Sequence, residues 1–249
     1  MTTLLVFCEA RGDFEVLRGL IERVISESVK RGSDQKPLVV ACDFIKVADI
    51  KKVLLDLGLT PSRGHFDRKP AQEEAHCWAN ALRIARALAR KHPELEHVVL
   101  HRDEDNKPER HDGLVQAKRE HDADPTQPKV SIAFPALEME SWLLAGFTPK
   151  TDDERQRLAE LRRELGIDPT RQPERLTATH DHDARSPKRV LAELTDRDEE
   201  RRAACYKSAP LEQLAANGKE NGLENFLARV QAAIVPSFSG ARSPAHRGQ

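Results

Sequence analysis

Short, wholly apolar runs that alternate with longer helical segments constrain this chain more than anything else in it. Leu4-Leu5-Val6-Phe7-Cys8 is the first such run, and it has no polar face to turn toward water. A strand of that kind is buried on both sides, as in a parallel sheet. Behind it, residues 14–30 place Val16, Leu17, Leu20, Ile21, Val24 and Ile25 at helical spacing. Gly32-Ser33-Asp34 breaks that helix, and residues 37–42 read as a second strand. A helix is predicted over residues 47–57, closing at Gly58, and a longer Ala-rich one over residues 70–90, stopped by Lys91-His92-Pro93. Residues 97–100 and 129–134 complete the set of strands. Strands alternating with helices of about ten or more residues predict an α/β fold, a mostly parallel, doubly wound sheet covered on both faces.

The pattern changes near Pro149. Beyond it the sequence offers no convincing strand, only helical patterns at residues 156–165, 187–194, 211–216 and 223–234. The expected organisation is an α/β domain over residues 1–148, a helical extension over 149–236 and a disordered tail over 237–249. That tail is rich in Ser, Gly, Arg and Pro.

Charge narrows the function classes. The 40 Lys+Arg against 41 Asp+Glu give a net charge of −1, which excludes a protein that coats nucleic acid through bulk charge. Any anion binding must be local. Cys8, Cys42, Cys77 and Cys205 show no C-x-x-C spacing, so free thiols are expected in place of a disulfide scaffold or zinc ribbon. No stretch approaches the ~20 apolar residues of a membrane span, and the first run is too short for a signal peptide. The expectation is a cytoplasmic protein with no membrane partner.

In an open α/β sheet, ligands bind beyond the carboxyl ends of the strands. Three places put acids there. Glu9 follows the first strand, with Asp13 at the mouth of the next helix. Asp103-Glu104-Asp105 follows the strand over residues 97–100. Glu138 and Glu140 follow Phe134-Pro135. In extended backbone, residues i and i+2 point the same way, so Asp103 and Asp105 are expected to converge while Glu104 turns aside. If the two strands are neighbours, Glu9 meets that pair. Carboxylates so placed remain ionised together only beside a cation, and all-oxygen ligands select Mg²⁺ or Mn²⁺. Such a site orients phosphate oxygens and activates water. Two plainer readings stand beside this one: Asp13 as a helix N-terminal acid favoured by the dipole, and Asp103–Asp105 as a solvated turn.

A Glu closing the first strand and an Asp-x-Asp closing a later one resemble the Toprim domain of topoisomerases, primases and nucleases of the old-like and RecR groups. More narrowly, Phe134-Pro135-Ala136-Leu137-Glu138-Met139-Glu140-Ser141-Trp142-Leu143-Leu144 resembles the Pro…Glu-x-Trp-Leu-Leu stretch of the DUF4276 family of Toprim-like proteins. Ser186-Pro187-Lys188, Tyr206-Lys207 and the segment from Gly222 to Phe226 resemble that family's C-terminal half, so the likeness runs to about residue 238. The resemblance implies Mg²⁺-dependent phosphodiester cleavage of nucleic acid, DNA foremost, in bacterial anti-phage defence beside an ATPase partner. It implies Glu9, Asp103 and Asp105 as catalytic and metal-binding acids, with Glu140 and Asp13 completing a second metal position. The chain departs from the Toprim pattern in having Gly12 where a Gly directly after Glu9 is usual, and His101-Arg102 where two apolar residues are usual. A catalytically inactive scaffold docked on the ATPase is the alternative, and a small-molecule phosphatase a third.

Lys188, just inside a helix that opens at Ser186-Pro187, is a candidate for a substrate phosphate, since helix N-termini attract anions; Arg11, beside Glu9, is another. Residues 180–183 (His180, Asp181, His182, Asp183) have metal-ligating types but read as a solvated loop. His101 is placed either to shuttle a proton or to support the acids. Arg155, Arg157, Arg162 and Arg163 lie on a charged helical face, which reads as solvent-facing, with a nucleic-acid backbone as the other reading. Trp142, Leu143 and Leu144 are expected in the core. The chain has no phosphate-cradling Gly-rich loop and no Gly-x-Ser-x-Gly elbow.

Overall fold

The computed structural model describes residues 2–30, 41–62, 65–66, 69–70 and 74–238. The first apolar run becomes β1 (Thr3–Cys8), followed by the long helix α1 (Arg11–Lys30). β2 (Ala41–Lys46) leads through a single 3₁₀ turn into α2 (Ile50–Asp56), and a two-residue antiparallel pair follows, β3 (His65–Phe66) with β4 (Lys69–Pro70). After α3 (Ala75–Lys91) come β5 (Leu95–His101), α4 (Glu109–Asp122) and β6 (Lys129–Ala133). The main sheet has the order β2-β1-β5-β6, and each neighbouring pair is parallel. Leu4 to Phe7 pair with His97 to Leu100, so Glu9 and the Asp103–Asp105 segment leave adjacent strands at the same edge.

Period-2 alternation divides the sheet between two cores. Leu4, Val6, Cys8, Val99 and Ala133 face α1 and the later helices. Leu5, Phe7, Val98, Leu100, Val130 and Ile132 face α2, α3 and α4. The later helices are α5 (Met139–Ala145), α6 (Asp152–Leu165), α7 (Pro187–Leu194), α8 (Glu199–Lys207), α9 (Leu211–Asn217) and α10 (Leu223–Arg229). They share one buried cluster with α1 and the sheet. Trp142 of α5 stacks on Phe226 of α10 at 5.3 Å, and its indole N–H donates to the Asn221 carbonyl at 2.8 Å.

Several boundaries differ from expectation. Of the second strand expected over residues 37–42, Ala41 and Cys42 open β2, which runs on to Lys46, and residues 37–40 lie outside the described part. Its exposed positions are Asp43 and Lys46, because β2 is an edge strand and lacks a continuous apolar run. The long Ala-rich helix starts at Ala75, since Pro70 belongs to β4 and Glu74 is left-handed at φ 63°. α6 starts at Asp152, earlier than residue 156: the Thr151 hydroxyl accepts from the Glu154 N–H, and the Glu154 carboxylate reaches back to the Lys150 N–H at 2.5 Å. α4 and α8 carry too many charged residues to show an apolar stripe, though each buries one side. Of the expected tail, residues 239–249 lie outside the described part; Val235–Ser237 is a 3₁₀ turn. No helix among the described residues is long and apolar enough to cross a membrane.

Candidate active site at the carboxyl ends of the strands

All loops that follow the strands of a parallel sheet emerge at one edge, and here they bring three groups of acids together. Glu9 leaves β1, Asp103 and Asp105 follow β5, Glu138 is the residue before α5 and Glu140 lies in its first turn. The Glu104 N–H donates to the Pro135 carbonyl at 3.3 Å and the Asp105 N–H to the Leu137 carbonyl at 3.0 Å. These two bonds tie the loop after β5 to the loop after β6. Asp105 (φ 48°), Asn106 (φ 57°) and Leu137 (φ 66°) are all left-handed, a conformation that costs non-glycine residues roughly 1–2 kcal/mol each.

That backbone overturns the i, i+2 argument for Asp103 and Asp105. β5 ends at His101 and Asp105 is left-handed, so the backbone between the two acids is not the extended strand that argument assumes, and each carboxylate has its own neighbour. Asp103 turns inward to His101, whose Nε2 lies 3.4 Å from Asp103 Oδ1. Asp105 turns to Arg110, with Oδ2 2.5 Å from a guanidinium nitrogen. Glu9 pairs with Arg102, whose other nitrogen stands 2.6 Å from Glu74. Sequence reasoning missed Glu74, Arg102, Arg110 and Arg202. Only the proximity of Arg102 and Arg110 to the acid run in the chain hinted at them. Glu140 is buried against Arg202 at 2.7 Å, and Glu138 against Lys188 at 2.9 Å.

Electrostatics makes this one site. Burial is the largest influence on Glu9, Asp13, Glu138 and Glu140 and pushes all four carboxyls above their ordinary values; Asp103 raises each of them further. Asp105 adds to the rise at Glu9, against Arg102 and His101. The Asp13 carboxylate also accepts from the Ala10 N–H at 2.9 Å, which is the helix-mouth role expected of it, while Oδ2 faces His101 Nδ1 at 4.0 Å. His101 is fully buried. Burial alone would lower its pKa, but Asp103, Asp13 and Glu9 together hold it above the usual histidine value.

The donor chemistry suits a hard cation. Asp103 Oδ1 and Glu138 Oε2 are buried without a hydrogen bond inside the protein. Glu9, Asp13, Glu74, Asp103, Asp105, Glu138 and Glu140 outnumber the permanent cations set among them, Arg102, Arg110, Lys188 and Arg202. Yet among the described residues no group of three or more His, Cys, Asp or Glu side chains is arranged to hold a metal ion. The carboxylates form a neighbourhood around Asp103 in which Glu9, Asp105, Glu138 and Glu140 are each turned to a basic side chain.

The remaining candidates fall outside that neighbourhood. Arg11 lies along α1 toward Glu15 at 3.1 Å and over the Phe44 ring. His180, Asp181, His182 and Asp183 are all exposed and form a turn, the Asp183 N–H donating to the His180 carbonyl. Trp142, Leu143 and Leu144 are core residues, as expected. The four cysteines are free thiols. No family model matches the chain, and neither does any curated protein or solved structure.

Proposed function

We propose that this protein is a Toprim-like, Mg²⁺- or Mn²⁺-dependent nuclease that cleaves phosphodiester bonds in nucleic acid, DNA foremost. The observation that carries the reading is the carboxylate neighbourhood centred on Asp103, at the ligand-binding edge of a parallel sheet, with buried carboxylate oxygens that make no hydrogen bond inside the protein. Glu9, Asp103 and Asp105 would hold one ion and Glu140 and Asp13 a second. When bound, such an ion supplies Lewis-acid polarisation of a phosphate and a more acidic water. The chain's own residues do the rest. Arg102 and Arg110 hold Glu9 and Asp105 in place, Lys188 would meet a substrate phosphate, and buried His101, its pKa raised by the acids around it, stands beside Asp103. A reducing cytoplasm and a place in bacterial anti-phage defence go with this reading, as does an ATPase partner.

With Mg²⁺ or Mn²⁺ the purified protein should nick supercoiled plasmid. Asp105→Ala should abolish nicking while leaving the circular dichroism spectrum unchanged. Equal nicking by that variant would refute the assignment.

The pairing of Glu9 with Arg102 and of Asp105 with Arg110 favours a second reading, a Toprim-like scaffold or regulatory subunit bound to an ATPase. Carboxylates satisfied by guanidinium groups need no metal. That reading predicts a stable co-purifying complex and no metal-dependent cleavage by the isolated chain.

A further inference from the structure

A cleft of about 640 Å³ adjoins the acids on the side of the helical extension, and its walls include Arg157 of α6, Lys188 and Arg189 of α7, and Arg197 just past α7. Lys188 belongs to both places. Its amine lines the cleft and stands 2.9 Å from Glu138 Oε1 in the acid neighbourhood. A strand lying in the cleft would therefore pass directly to the acids.

The acids that line the cleft stand off from its cations, though Arg189 is held from outside it by Glu164 at 3.0 Å and Lys188 by Glu138 at 2.9 Å. Asp196 lies 3.6 Å from Arg157, Glu193 3.9 Å from Arg189 and Asp181 4.0 Å from Lys188. All three exceed the span of a charge-assisted hydrogen bond. The Asp181 and Asp196 side chains are 67% and 82% exposed, so water screens both pairs. Arg157 Nε is buried without a hydrogen bond, and Arg197 has no ion pair among the described residues. A phosphate presents oxygens in the geometry a guanidinium fork prefers, and it would displace such carboxylates.

Backbone strain links cleft and acids. Six non-glycine residues among those described are left-handed. Glu74, Asp105, Asn106 and Leu137 surround the acid neighbourhood; Asp196 (φ 54°) and Arg197 (φ 55°) form the cleft wall. Conformations this costly collect where a ligand must be met.

We propose that this cleft binds the phosphodiester backbone of the nucleic-acid strand presented to the acids, with Arg157 and Arg197 on phosphate oxygens and Lys188 at the junction. For its substrate the inference rests on the nuclease reading. The test is binding of labelled DNA and RNA oligonucleotides to the full chain in EDTA, where cleavage plays no part. Arg157→Glu with Arg197→Glu should weaken binding roughly tenfold or more and flatten the plot of log affinity against log salt by about one per arginine. Arg163→Glu, on the exposed face of α6, should change little, and Arg197→Ala on its exposed turn repeats the measurement if the double variant fails to fold. Variants that bind like the parent, an equal loss in Arg163→Glu, or a parent that binds neither oligonucleotide would each overturn the inference. Cleft-dependent binding with intact plasmid in Mg²⁺ or Mn²⁺ would overturn the nuclease reading and leave the cleft assignment standing. Metal-dependent nicking with cleft-insensitive binding would do the reverse.

Discussion

His101 illustrates how much one buried side chain depends on its neighbours. It lies between Asp103 and Asp13 with neither ring nitrogen hydrogen-bonded inside the protein. The acids around it compete for too few cations, and the outcome can be read in stability. Carboxyls whose folded pKa is raised bind protons more tightly in the folded chain than in the unfolded one. Their contribution is therefore fully present below the ordinary carboxylate range and is lost as pH rises through the raised values. A divalent cation should restore it. At pH 7, Mg²⁺ or Mn²⁺ at about 100 times its Kd should stabilise the fold by about 2.7 kcal/mol in denaturant titration, with no effect near pH 4. Asp103→Asn should raise the metal-free midpoint and remove the response. An unresponsive parent at pH 7 would show that the arginines alone settle these charges. The residue types of this site are visible in the chain, but their pairings are not, because the left-handed turn at Asp105 comes from loop-to-loop hydrogen bonds.

Where α5 ends, the chain runs tightly against the end of α8, and a glycine permits it. A Cβ on Gly146 would stand 1.9 Å from the Cys205 carbonyl oxygen and 2.8 Å from a Leu214 methyl. Backbone cannot yield as a flexible side chain does. Gly146→Ala should cost about 3 kcal/mol, the upper end of overpacking, measured by urea denaturation. Gly12→Ala, where nothing lies within 4 Å, should be neutral or slightly stabilising. A wild-type midpoint for Gly146→Ala would mean that α5 and α8 separate at little cost. Elements with apolar stripes, such as α1 and α7, were legible from spacing. α4 and α8 were not, since a helix that buries one narrow side among many charges leaves little periodic signal.

At the scale of the whole molecule, the extension and the sheet share a core. Phe14, Leu17 and Ile21 of α1 lie in the same buried cluster as Trp142, Leu191, Tyr206, Phe226 and Val230. Residues 1–148 alone would expose that face, so this fragment should be insoluble or lack a cooperative thermal transition, whereas the full chain should melt as one unit. A soluble fragment with its own sharp transition would show that α1, α5 and the sheet bury enough by themselves. The chain by itself determined the parallel α/β sheet, the placing of Glu9 and the Asp103–Asp105 run at strand ends, and the helical character after residue 149. Each follows from local apolar period and from the rule that parallel strands end at one edge. Only the tertiary structure decided that β1 and β5 are neighbours, which cation each acid faces, that Glu74 and Arg202 join them, and that a cleft with four basic side chains in its walls opens beside them. Those contacts join residues far apart in the chain, and no local pattern records a distance that long-range packing creates.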